Sequence, residues 1–341
     1  MKRRQILAGM AGLGAAACAA PALSQPTRPA KPFRIYMVLY RGWEECAQGF
    51  KDYFTNQGIA VELIVRDAGQ DKSKLPGFVA EAKAMKVDLV FTWGTTVTQE
   101  MLGTYDQVNP AKHITDIPAV FAIVSQPVGA NVVPNLSSSG RNITGTSYLV
   151  PVETQAALIQ SYRRTPVLGM VYNPLESNSR VTIDEFTNLG RQQDFKLVAV
   201  PVDVVDGKPS AASLPAKVAE VKAAGASFLY IPPDTFINVN RDILTEAALD
   251  QHLPSFAAAE NPVLASKAMF GGVYRYYTVG QLTAYKAEQI LIGKKLPSEI
   301  PIDAPKRLSI IINMPVVRAL GFYPPMSLMG LAEIIDPEAR P

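Results

Sequence analysis

The residue types behind most enzyme chemistry are sparse in this chain. It has two histidines, His113 and His252, far apart, and two cysteines, Cys18 and Cys46. No G-x-S-x-G elbow, H-E-x-x-H, C-x-x-C or P-loop lysine motif occurs. Neither a nucleophile–base pair nor a metal-ligand set therefore follows from the spacing. Gly9 to Gly14 is glycine-rich, but it follows no strand, as a dinucleotide fingerprint must. Cys46 has no histidine close by and reads as a small buried residue. These features point away from catalysis, and no metal or cofactor is expected.

Other spacings fit binding. In VDLVFTWGTTVTQEM (87–101), an apolar run gives way at Thr92 to Trp93, Gly94, Thr95 and Thr96, where a helix begins. A helix start leaves free N–H groups that favour an anion. Gly94, lacking Cβ, admits a close backbone approach, and the two threonines can cap the helix or meet a ligand. An ordinary helix cap would read the same way. Other strand ends carry similar residues: Tyr40-Arg41-Gly42-Trp43-Glu44, Ser125-Gln126-Pro127, Asn178 and Ser179, Asp234, Glu260, and Tyr274 to Tyr277. The ligand-binding set expected from these ends is Tyr40, Trp43, Glu44, Trp93, Gly94, Thr95, Thr96, Ser125, Gln126, Asn178, Ser179, Asp234, Glu260 and Tyr277, with Ser147 between the halves. Trp43, Trp93 and Tyr40 would form an apolar wall. Asp234 or Glu260 would meet an amine if the ligand has one, although Asp234 could equally be a helix cap and Glu260 a solvated loop residue. Arg275 reads as pairing with an acid rather than binding an anion.

These ends need a scaffold of alternating strands and helices, and the sequence supplies one. Strands are expected at 33–40, 59–65, 87–93 and 118–124, with helices at 44–57, 75–86 and from Thr95. The order recurs about 135 residues later, too long a period for a solenoid: strands at 167–172, 195–202, 226–232 and 253–259, helices at 178–190, 213–224 and 237–251. Two α/β lobes follow, each with a parallel sheet, and their strand ends share a cleft. Crossings between them are expected at 142–150, at 270–280 and, third, at LSIIINM (308–314), with the helix 281–292 returning to the first lobe. The resulting organisation is an export signal at 1–24, a Pro-rich tether at 25–32, a first lobe of 33–147 plus 275–306, a second lobe of 148–274 plus 307–325, and a tail at 326–341.

The N-terminus is basic, then apolar, then small-residued, as an export signal is. Arg3-Arg4-Gln5-Ile6-Leu7 favours the twin-arginine route, with cleavage after Ser24, although Lys2 stands where a hydroxyl is usual. Lipid anchoring at Cys18 is the less favoured alternative. Of 33 basic residues, Lys2, Arg3 and Arg4 lie in the leader, so the mature chain carries 30 against 30 acidic. Such a balance gives no steering toward nucleic acid or anionic lipid. A periplasmic monomer is expected.

Several stretches together resemble the periplasmic substrate-binding proteins of ABC transporters, in the subgroup with tryptophan- and other aromatic amino-acid-binding members. They are VDLVFTWGTT, IPAVFAIVSQPV, GRNITGTSYLVPVE, VLGMVYNPLESNS, FLYIPPD, GVYRYYTVGQ and YPPMSLMGLAEIID. The resemblance runs from Phe33 to the C-terminus. It implies the type I periplasmic-binding-protein fold: two Rossmann-like lobes, three crossings, hinge closure on a small molecule, delivery to a membrane permease, and no catalysis. Carried over by motif are Thr95, Thr96, Ser125, Gln126, Asn178, Ser179 and Asp234. Many members have Ser-Asp-Pro at Ser125-Gln126-Pro127 and Gly-Val-Asp-Tyr-Tyr at Gly272 to Tyr277. The loss of two acids shifts the expected ligand from a zwitterion toward a carboxylate-only molecule, aromatic or apolar. A sensory module passing the same ligand to a signalling receptor is the alternative.

Overall fold

The computed structural model describes residues 31–336. The leader, Cys18 and most of the tether lie outside the described residues. The first sheet grows from β1 (Phe33–Leu39), followed by α1 (Glu45–Gln57), β2 (Val61–Asp67), α2 (Leu75–Met85), β3 (Leu89–Trp93), α3 (Thr95–Leu102), β4 (Ala119–Val124) and β5 (Ile143–Ser147). Its order is β2-β1-β3-β4-β5, every pair parallel. β3 and β4 are buried along their whole length. That is why they read as unbroken apolar runs rather than alternating ones.

The second lobe begins with α4 (Val152–Tyr162), β6 (Val167–Tyr172), α5 (Ser177–Gln193) and β7 (Lys196–Pro201). A small hairpin of β8 (Val204–Val205) and β9 (Lys208–Pro209) leads to α6 (Leu214–Ala223) and β10 (Phe228–Ile231). The helical stretch expected at 237–251 is two helices, α7 (Thr235–Val239) and α8 (Arg241–Asp250), separated at Asn240. Then come β11 (Ser255–Ala257), α9 (Asn261–Leu264) and β12 (Phe270–Val273). Each lobe buries apolar residues on both faces of its sheet, as a parallel sheet flanked by helices must.

The chain then returns to the first lobe as α10 (Tyr276–Leu291), five residues earlier than the periodicity implies. α10 lies backbone to backbone on α1. A Cβ added at Gly49 would meet the Tyr277 carbonyl oxygen at 2.1 Å, and one at Gly280 would meet that of Cys46 at 2.0 Å. Cys46, the free cysteine among the described residues, is buried in this seam, and burial raises its thiol pKa.

Two expectations need correction. LSIIINM is not a crossing but β13 (Ser309–Asn313), antiparallel to β12 in the second sheet. The passage between lobes comes before it, after Asp303, which still bridges to Thr146 of the first lobe. Nor is 326–336 a tail. After α11 (Met314–Leu320), α12 (Met326–Met329) leads into β14 (Ala332–Ile335), the parallel edge strand beside β13. The second sheet thus has the order β14-β13-β12-β11-β10-β6-β7.

Candidate functional site

The carboxyl ends of β1, β3 and β4 face those of β6 and β10 across a narrow gap. Its walls are Tyr40, Arg41, Trp93, Gly94, Thr95, Thr96, Ile123, Ser125 and Tyr148 on one side. Glu176, Asn178, Pro233, Asp234, Thr235 and Asn238 stand on the other, and Tyr276 lies at the α10 crossing. The free volume is about 20 Å³, little more than the ~10–15 Å³ that one water needs by such a measure. The lobes are drawn together, and an amino-acid-sized molecule enters only if they part.

On the first-lobe wall, Gly94 sits at φ +84, a conformation that favours glycine. A Cβ there would meet nothing within 4 Å. Backbone conformation therefore explains this glycine, and no neighbouring protein atom demands it. Gly94 caps α3 with no side-chain hydrogen bond. The backbone N–H groups of Thr95, Thr96 and Val97 have no acceptor among the described residues, so the positive end of an eight-residue helix opens on the gap. Ile123, on the same wall, is held at φ +57, strained for a β-branched residue. The strain falls where β4 slips register against β5, just before Ser125. Ser125 and Tyr148 share a hydroxyl hydrogen bond of 3.2 Å; burial pushes the Tyr148 phenol up to about 12.

The opposite wall has the reverse polarity. The N-terminus of α7 is already filled by two carboxylates. Glu176 accepts from the Thr235 and Phe236 N–H groups at 2.9 and 3.0 Å. Asp234 accepts from Ile237 N–H at 2.9 Å, Asn173 N–H at 2.8 Å and Ser179 Oγ at 2.6 Å. Burial, with Glu176 beside it, raises the Asp234 pKa against those donors. Asn238 Oδ1 is buried with no partner among the described residues.

The structure thus brings Tyr40, Trp93, Gly94, Thr95, Thr96, Ser125, Asn178 and Asp234 around one gap. Other expected residues stand outside it. Gly42 at φ +90 turns the β1–α1 loop so that Trp43 is 44% exposed and donates to Gln48. Arg41 lies over the Trp93 ring instead, 4.6 Å from its centroid. Glu44 grips Arg41 (3.0 Å) and accepts from Asn261 of the second lobe at 3.3 Å. Gln126 donates across the lobes to Glu185 at 2.6 Å. It lines a neighbouring cavity together with Ser147. Ser179 holds Asp234 from behind.

Glu260 is neither solvated nor in the gap. It is 1% exposed, pairs with Arg275 at 2.8 Å and accepts from Tyr276 N–H at 3.2 Å, which anchors the second crossing. Burial pushes its carboxyl up to about 7. Tyr277 points to α1 and donates to Asp52. Its neighbour Tyr276, about 100° round the helix, lines the gap. Arg41, Thr235 and Tyr276 lie in the strand-end stretches read from the sequence without being assigned to the ligand, and Ile123, Tyr148, Glu176 and Asn238 were missed. The Arg41/Glu44 spacing was the visible signal for Arg41.

Among the described residues no group of three or more His, Cys, Asp or Glu side chains could hold a metal, and no helix is long and apolar enough to cross a membrane.

The family model for ABC transporter substrate binding proteins matches residues 36–333. A tyrosine-binding protein of Clostridioides difficile is 24% identical over 275 residues, 80% of this chain and 73% of that one. The solved structure of an ABC domain from Streptococcus pneumoniae in complex with L-Trp has a TM-score of 0.75 at 22% identity, covering 88% of this chain and 99% of that one. A conserved domain protein of Vibrio cholerae gives 0.78 at 22% identity, with coverage of 89% and 99%. The two-lobed α/β architecture is that of the periplasmic binding proteins, and the match spans nearly all of the described chain. This chain belongs to the ABC transporter substrate binding protein family.

Proposed function

We propose that this chain is the exported receptor of an ABC importer: a monomer that closes two lobes on an aromatic amino acid and hands it to a membrane permease. The observation that carries this reading is the opposed polarity of the two walls. The open N-terminus of α3 presents donors, suited to a carboxylate. On the opposite wall Glu176 and Asp234 already accept hydrogen bonds from the protein, so the acceptor left there for an ammonium group is the unpartnered Asn238 Oδ1. A zwitterion satisfies both, whereas a carboxylate-only ligand leaves the acceptor wall unmatched. Tyr40, Tyr148, Tyr276 and Trp93 frame the space between. An aromatic side chain is further supported by the relative named for tyrosine and the similar fold holding L-Trp. Closure is the hinge motion natural to two lobes joined by crossings.

The test uses L-tyrosine and L-tryptophan. Each should raise the melting temperature of the purified protein by mass action, and calorimetry should show one site. Thr95→Pro removes one of the free N–H groups at a position where proline suits a helix start. It should weaken binding about tenfold with the fold intact. No stabilisation by either amino acid, or unchanged affinity in Thr95→Pro, would reject the reading.

A further inference from the structure

Arg41 is a charged side chain only 7% exposed, it borders the gap, and its environment is built around it. Its flat guanidinium lies on the Trp93 ring at 4.6 Å. Glu44 accepts from Nε at 3.0 Å and from Nη2 at 3.3 Å. Nη1 has no hydrogen-bond acceptor among the described residues. Burial works against the charge, but the Glu44 carboxylate keeps the group a cation, its pKa above the ordinary arginine value. Trp93 ends the strand just before Gly94 and Thr95, so the cation sits beside the open end of α3.

We infer that Arg41 is a specificity-determining residue: its free Nη1 takes one oxygen of the ligand's carboxylate while the N–H groups at the start of α3 take the other. A largely buried guanidinium whose Nη1 N–H groups are unmatched gains a charge-assisted bond from such a ligand. A ligand without the carboxylate leaves it unsatisfied. This rejects decarboxylated amines more strongly than helix N–H groups alone would, because a site built to hydrogen-bond a group discriminates sharply against analogues lacking it. Glu44 has a different task. It fixes the fork geometry and neutralises the second half of the guanidinium, and its bond from Asn261 ties that fork to the opposite lobe.

The inference rests on the amino-acid reading above, and the experiment separates the two. Dissociation constants are measured by calorimetry for L-tyrosine and for tyramine, its decarboxylated amine. The unaltered protein should prefer L-tyrosine by a hundredfold or more. Arg41→Met alone strands the Glu44 charge, so the double variant Arg41→Met with Glu44→Gln is used beside it, with circular dichroism to confirm folding. Either variant should lose about thirtyfold in affinity for L-tyrosine and change less than threefold for tyramine. Glu44→Gln alone keeps an oxygen for the Nε and Nη2 donors, so it should lose less of the L-tyrosine preference than Arg41→Met does. Equal losses for both ligands would overturn the inference and make Arg41 a wedge that shapes the gap. If the unaltered protein binds neither ligand, the amino-acid reading fails and this inference falls with it.

Discussion

At the scale of single residues, the distinction that matters is between a polar atom already satisfied by the protein and one left for a ligand. Asp234 looks from the sequence like a counter-ion for an amine. Its two oxygens already accept three protein hydrogen bonds. Asp234→Asn should therefore act mainly on stability: an amide nitrogen would face a donor, at a cost of about 2–3 kcal/mol, read as a lower urea midpoint at constant slope. Asn238 is the reverse case, with a buried, unpartnered oxygen. Asn238→Ala should leave the urea midpoint nearly unchanged. It should weaken L-tyrosine at least fivefold more than 3-(4-hydroxyphenyl)propionate, which lacks the amine; equal losses for the two would remove Asn238 from that role. The sequence places Asp234 at a strand end and passes over Asn238, one turn into α7, and it could not say which had its hydrogen bonds filled. That depends on Glu176 and Ser179, which come from another part of the chain. Trp43 and Arg41 teach the same lesson, since one positive φ at Gly42 decides which of them turns inward.

At the scale of elements, the strands and most helices were legible because burial on both faces leaves continuous apolar runs. What was not legible is how distant elements meet. LSIIINM has the look of a strand, but its partner, β12, comes before a whole excursion through the first lobe. The return of α10 is encoded by glycines more than by apolar period. Gly49 on α1 and Gly280 on α10 each remove a Cβ from a place where the other helix's backbone passes. Neither glycine has a positive φ, so nothing local marks them, and glycine inside a helix is otherwise unfavourable by roughly 1 kcal/mol against alanine. Gly280→Ala should thus destabilise the protein although it raises helix propensity. A methyl group meeting carbonyl oxygen and amide nitrogen atoms, which are backbone and cannot swing aside, costs about 1–3 kcal/mol as overpacking. Thermal unfolding checks it, and a higher midpoint would show that the seam is looser than drawn. The second crossing starts at the head of α10, so the same substitution should also reduce ligand affinity by shifting Tyr276.

At the scale of the whole molecule, closure joins groups that the separate lobes would leave in water. Gln126, behind β4 in the first lobe, donates to Glu185 on α5 in the second. Glu185 is pushed up to about 7, first by burial and then by Glu153 on the neighbouring α4. Free in an opened molecule, a glutamate titrates near 4.3. The sign follows from that difference. A carboxyl whose pKa rises on closing favours the closed form when protonated, so closure is strongest below about pH 4.3 and is lost progressively as pH rises through about 7. Glu185 remains partly solvated, which weakens the effect below its formal value. Affinity for L-tyrosine should fall about tenfold between pH 5 and pH 8, with net proton uptake on binding, measurable as a dependence of calorimetric heat on buffer ionisation. Glu185→Gln cannot titrate, yet it keeps the size of the side chain and an oxygen to accept from Gln126. It should hold affinity near the low-pH value across the range and abolish most of the proton uptake. If the variant keeps the slope of the unaltered protein, the titrating group lies elsewhere, and Glu260, buried at the second crossing and raised to a similar value, becomes the group that couples pH to the hinge.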